Sequence, residues 1–285
     1  MTFLRQSSLA GFVLLLAGCS AASVLNGITP SSSFDRDKDI AYGELPRQTM
    51  DIYRAAEPVS DAPVIMFVYG GGWTRGSKGM YKFAAEGFTQ QGYDVVVPDY
   101  RLYPDSRYPD MITDTGAAVL AAAERFPDRD LVLIGHSAGG YNVLMTALAP
   151  DLSGVDACDR IAGIISLAAP TGAYPMTDEP YLTIFPDHFK GDDAPMARTV
   201  DALPPVMLVN GREDETVGYK NASALGERLT AQGLVADVRI YDDMNHIDPV
   251  RVLSRYFDGG STLKDDIVTF VQGLPDRSAR CDAKP

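Results

Sequence analysis

At 285 residues, 46% of them hydrophobic, the chain has enough apolar material for one large α/β domain or at most two smaller ones. A formal net charge of −13 excludes nucleic acid or an acidic lipid surface as the main partner, since either repels such a chain at long range. Its three cysteines, Cys19, Cys158 and Cys281, form no C-x-x-C pair and have no histidine at ligand spacing, which argues against a metal centre.

The chain begins MTFLRQSSLAGFVLLLAGCS, with a cation at Arg5, an apolar stretch from Leu9 to Ala17 and then small residues. That is the pattern of an export signal. The apolar run is shorter than the about 20 residues a permanent span needs. Its end, LAGC at Leu16 to Cys19, resembles the lipobox of bacterial lipoproteins. The resemblance implies that residues 1–18 are removed and that Cys19 carries the lipid anchoring the protein to a membrane, facing the periplasm. An ordinary secretory signal is the alternative. In such a compartment Cys158 and Cys281 either pair as a disulfide or stay as buried thiols. Residues 19–37, rich in Ser, Gly, Asn and Asp, read as a tether, leaving 38–285 as a single domain.

Arg47 to Tyr53 alternates apolar and polar residues and predicts a strand in an antiparallel edge. Five uninterrupted apolar runs follow: PVIMFVY from Pro63, YDVVVPDY from Tyr93, DLVLIGHS from Asp130, IAGIISLAA from Ile161 and PVMLVNG from Pro205. Continuous runs of that length mean strands buried on both faces. Between them lie helical patterns over 80–92, 111–126, 138–149 and 221–233; a last strand over 235–243 and a closing helix over 263–274 complete the order. Strand alternating with helix predicts an α/β fold, a mostly parallel central sheet flanked by helices. Such sheets bind ligands beyond the carboxyl ends of their strands, where chemistry-bearing residues should gather.

GHSAGG, Gly135 to Gly140, sits between a strand and a helix, the context that G-x-S-x-G requires, and puts Ser137 on the turn. A serine hydroxyl needs a base, and there are three histidines. His136 is too close in sequence to fold back onto Ser137, and His188 lies in a loop region. His246 follows the last strand and is the candidate base. An acid must orient it, and GREDETV after the preceding strand offers Glu213, Asp214 and Glu215; its spacing points to Asp214, with Glu213 as fallback. YGGGWTRGSK, Tyr69 to Lys78, follows the first buried strand, and Gly71 and Gly72 can turn backbone N–H groups on an oxyanion together with Ala138. A phosphate loop would need a Gly-Lys-Ser/Thr ending, which this segment lacks.

With GGGWTRGSK, VVVPDYRLYPDSRYPDMITD, NGREDETV and the Asn-His pair at 245–246, the chain resembles the α/β-hydrolase superfamily over roughly residues 40 to 275. Within it the likeness is to the carboxylesterase and feruloyl-esterase-like (BD-FAE-like) branch related to hormone-sensitive-lipase-type esterases. The resemblance implies a serine hydrolase acting on small or aryl esters through an acyl-enzyme, without a cofactor: Ser137 attacks, His246 moves the proton and Asp214 orients it. It implies a small lid over Thr171–Phe189, whose Tyr181, Leu182 and Phe185 either line an acyl pocket or pack the lid to the body. The branch usually has His before the glycines; here Tyr69 stands there and is expected to hydrogen-bond in its place. Two further readings are an arylformamidase like kynurenine formamidase and a non-catalytic, membrane-anchored binding protein of the same fold.

Overall fold

The computed structural model describes residues 24–281 apart from Pro175, His188, Lys190 and Asp258. The apolar runs form one eight-stranded sheet in the order β1-β2-β4-β3-β5-β6-β7-β8. Its strands are β1 (Phe34–Ala41), β2 (Thr49–Ala55), β3 (Val64–Val68), β4 (Val95–Pro98), β5 (Leu131–His136), β6 (Ile161–Leu167), β7 (Val206–Gly211) and β8 (Ala236–Tyr241). β2 runs antiparallel to β1 and β4, and the pairings from β4 across to β8 are parallel. Every residue of β3, β4, β5, β6 and β7 is buried, as continuous apolar runs require of strands covered on both faces.

The predicted helices form close to their expected bounds: α1 (Lys82–Thr89), α2 (Asp110–Arg125), α3 (Ala138–Leu148), α4 (Lys220–Ala231) and α5 (Leu263–Gln272). Helix α3 is buried along its whole length and packs on β5 and β6, which carries its first turn to the middle of the sheet's carboxyl edge.

Two features differ from the sequence expectation. The tether expected over 19–37 is structured wherever it is described, and Cys19 itself lies outside the described residues. Residues 24–28 are helical, Leu25 is buried, and Asn26 bridges to the body, donating to the Gly79 carbonyl (2.6 Å) and accepting from the Phe83 amide (3.1 Å). Strand β1 then begins at Phe34, so the sheet reaches into the segment read as linker. β1 is an edge strand with a mostly exposed, charged sequence, FDRDKDIA, and carries no apolar run to betray it. In consequence β2, expected at the edge, is an inner strand with Met50, Asp51, Ile52 and Tyr53 buried. The buried Asp51 carboxylate is matched by Arg36 from β1.

Cys158 and Cys281 form a disulfide with Cα atoms 5.9 Å apart, joining the start of β6 to the end of the described chain. Arg277 and Arg280 hold the same terminal segment through Asp130, just before β5.

Candidate active site

The strand–helix junction of GHSAGG is a sharp turn, and Ser137 sits on it at φ 54° and ψ −120°, a left-handed conformation that a non-glycine residue rarely adopts. The flanking glycines make the turn sterically feasible. A Cβ on Gly135 would lie 2.2 Å from the Gly139 carbonyl oxygen, and one on Gly139 would lie 2.1 Å from that of Val68. The serine backbone is pinned by its N–H to the Leu167 carbonyl at 2.8 Å, and its side chain stays on a cavity.

His246 arrives from the loop after β8. This loop is drawn onto the end of β7, where a Cβ on Gly211 would meet the Met244 carbonyl oxygen at 1.9 Å. A local turn fixes it: the Asn245 amide donates to Asp248 (2.9 Å) and the Ile247 amide to the Asn245 side chain (2.9 Å). His246 Nε2 lies 2.9 Å from Ser137 Oγ, and Nδ1 lies 2.9 Å from Asp214 Oδ2. A carboxylate only accepts, so Nδ1 carries the proton and Nε2 keeps the lone pair that faces the serine O–H. Of the neighbouring acids, Asp214 is buried and Glu213 and Glu215 are exposed, so the buried imidazole meets Asp214 rather than the fallback Glu213. Three residues more than 30 apart along the chain thus meet at one rim of the sheet.

The glycine loop lies on the other side of Ser137. Gly72, at φ 61°, fronts the same cavity as Ser137 and His246, and a Cβ there would lie 2.8 Å from the Tyr181 hydroxyl oxygen. Gly71 is set further back, with the Arg75 carbonyl oxygen 2.2 Å from where its Cβ would be. Ala138 opens α3, where backbone amides have no partner within their own helix and the dipole favours negative charge.

Tyr69 makes the hydrogen bonds expected of it. Its hydroxyl donates to Asp99 (2.7 Å) and accepts from Arg47 (2.7 Å), and its ring stacks between Tyr81 and Tyr100 at 5.4 and 4.9 Å. Burial pushes the phenol well above its usual range, so it stays protonated and keeps donating. Arg47 also donates to the Gly76 and Tyr100 carbonyls (3.0 and 2.8 Å), tying both ends of the loop to one guanidinium. Arg47 and Asp99 were not singled out from sequence, because their partners are distant in the chain. Trp73 at φ 57° turns inward, and its indole N–H donates to Asn142 on α3 at 3.0 Å.

The lid residues divide. Tyr181 lines the cavity, whereas Phe185 is fully buried and packs edge-on against Trp73 (4.8 Å), Tyr141 (5.5 Å) and Phe189 (4.8 Å). Leu182 is half-buried. The cavity, about 570 Å³, is walled by Trp73, Tyr174, Met176 and Tyr181 on the lid side and by Thr216, Val217, Tyr219 and Asn221 on the β7 side.

His136 is buried against the loop that carries His246, with Nε2 2.8 Å from the His246 carbonyl oxygen and its ring 5.1 Å from that of His246. Burial, and then the nearby His246, depress its pKa to about 3, so the ring is neutral and donates from Nε2 to that carbonyl. His188 lies outside the described residues.

Known proteins resemble this chain in sequence and in fold. Residues 50–174 match the family model BD-FAE. A probable isoprenylcysteine alpha-carbonyl methylesterase of Oryza sativa subsp. japonica is 27% identical over 87% of this chain and 65% of its own length. Esterase LipC of Mycobacterium tuberculosis is 27% identical over 67% of this chain and 54% of its own length. The chain therefore spans less than two thirds of either relative. Among solved structures, esterase B from Lactobacillus rhamnosis superposes with a TM-score of 0.75 at 18% identity, covering 95% of this chain and 98% of that one. Residues 50–174 are thus similar to the BD-FAE family, and the fold of the whole chain is the one that esterase B has.

Proposed function

We propose that this protein is a serine hydrolase that cleaves small or aryl carboxylic esters through an acyl-enzyme. The observation that carries the reading is the unbroken relay of 2.9 Å from Ser137 to His246 and 2.9 Å from His246 to Asp214 beside an open cavity. In the first half-reaction His246 Nε2 takes the Ser137 proton as Oγ bonds to the ester carbonyl carbon. Negative charge collects on the carbonyl oxygen, which the backbone amides of Gly71, Gly72 and Ala138 stabilise. His246 then returns the proton to the leaving alkoxide as the C–O bond breaks, and the alcohol departs. Water, deprotonated by the same imidazole, attacks the acyl-enzyme and releases the acid. Asp214 fixes the imidazole tautomer and stabilises its charged form throughout.

A formamide follows the same steps with an amine leaving, and kynurenine formamidase of Danio rerio is 29% identical over 44% of this chain. Comparing p-nitrophenyl acetate with N-formylkynurenine separates the two substrates. A purely binding role has no use for a base aligned on a strained serine. Activity should fall by about 10⁴-fold or more in Ser137→Ala and His246→Ala, and by a smaller but large factor in Asp214→Asn. Retained ester hydrolysis in Ser137→Ala would sink the reading.

We further propose export and lipid anchoring at Cys19, facing the periplasm; the signal pattern of residues 1–18 and the Cys158–Cys281 disulfide support it. Cys19→Ala should move the protein from the membrane fraction to the soluble fraction. Equal partition of variant and wild type would refute the anchor.

A further inference from the structure

Asp214 does not face His246 alone. Asn210, the fifth residue of β7, is fully buried, and its Nδ2 donates to Asp214 Oδ2 at 3.1 Å and to the Val217 carbonyl at 2.8 Å. The oxygen it reaches on Asp214 is the one that accepts from His246 Nδ1. The other, Oδ1, accepts the Thr216 and Val217 amides at 2.9 and 2.7 Å. The carboxylate is therefore held by four donors, two on each oxygen. Two of them come from its own turn, one from the imidazole and one from β7. The amide orientation follows from its partners, because both are acceptors and only the nitrogen can donate to them.

The other end of the same side chain is left bare. Asn210 Oδ1 is buried without a hydrogen-bond partner. A buried unpaired carbonyl is destabilising, and a leucine of similar shape would fill this site in β7 without that penalty. Packing thus does not account for asparagine here, whereas its bonds to Asp214 and to the Val217 carbonyl of the same turn do. The strand is buried at every residue, whereas the turn carrying Asp214 is exposed at Arg212, Glu213 and Glu215.

We infer that Asn210 is a positioning residue for the hydrolytic reaction: it clamps Asp214 to the 214–217 turn so that Oδ2 points at His246, and it draws off part of the carboxylate charge. This rests on the serine-hydrolase reading. The ionisable groups about the clamp are His246 and, behind it, His136 at the end of β5. Arg212, Glu213 and Glu215 share its own loop, Lys220 opens α4, and Asp248 lies in the loop after β8.

The test uses two variants of the full chain and the pH dependence of p-nitrophenyl acetate hydrolysis. Asn210→Leu removes the donor and should lower kcat by about 10- to 100-fold with KM changed by less than about twofold. Asn210→Asp puts a second carboxyl against Asp214. While that pair shares a proton, the new group donates as the amide did; once the proton leaves, two like charges face each other and the clamp opens. The ratio of Asn210→Asp activity to Asn210→Leu activity should therefore fall as pH rises through the neutral range, a ratio in which the titration of His246 largely cancels. If Asn210→Leu does not fold, the ratio of Asn210→Asp to wild type serves in its place and should fall likewise. A ratio flat with pH, or kcat in Asn210→Leu within twofold of wild type, overturns the inference. Fluorophosphonate labelling of the wild type separates the two levels: with Ser137 labelled and esters cleaved, unchanged variants refute the clamp alone. With no labelling and no hydrolysis in the wild type, the hydrolase reading fails and the clamp falls with it.

Discussion

His136 shows how much a single side chain next to Ser137 carries. It is neutral in the fold, with a pKa of about 3 against the usual 6.5, because burial penalises the imidazolium. The unfolded chain binds a proton at this residue below about pH 6.5 and the folded chain does not, so the fold loses stability as pH drops between those values. That loss approaches about 1.4 kcal/mol per pH unit. In His136→Gln, whose amide can still donate to the His246 carbonyl, urea denaturation at a series of pH values should give a correspondingly shallower slope. Parallel slopes for variant and wild type would contradict the assignment. At this scale the sequence revealed the residues whose chemistry is rare. Three histidines and one strand-end acid cluster left few combinations, and chain order chose among them. Asn210 and Arg47 were hidden because amides and guanidinium groups are common on any surface. Their significance lies in partners that only folding supplies, Asp214 for one and Tyr69 for the other.

Among the elements, the buried strands were legible because a strand covered on both faces must be apolar throughout. β1 was not, since an edge strand needs no such run and its charges spoke for a linker. The lid was legible as an insertion between β6 and β7, but the division of labour within it was not. Phe185 closes an aromatic cluster with Trp73, Tyr141 and Phe189, while Tyr181 stands on the cavity over Gly72. Tyr181 is thus a wall that limits the space beside the glycine loop. Tyr181→Ala should raise kcat/KM for p-nitrophenyl butyrate relative to the acetate by several-fold, up to about tenfold. An unchanged acyl preference would place the specificity wall elsewhere.

For the molecule as a whole, the sheet is what makes distant residues neighbours. β3, β5, β7 and β8 all point the same way, so the loops after them deliver the glycine loop, Ser137, Asp214 and His246 to one edge. The disulfide closes a long span of chain around that sheet, and in the chain-entropy view such a link contributes about 2–5 kcal/mol. Links of this kind persist in oxidising compartments, and the excess of acidic residues disfavours binding to nucleic acid. The central claim is that Ser137 is a nucleophile activated through His246. It is tested most directly by treating the full chain with a fluorophosphonate and locating the adduct by peptide mass spectrometry. The account predicts a single stoichiometric adduct on Ser137 in the wild type, and loss of labelling in both Ser137→Ala and His246→Ala. An unlabelled Ser137 in the folded wild type, or labelling that persists at full rate in His246→Ala, would contradict it.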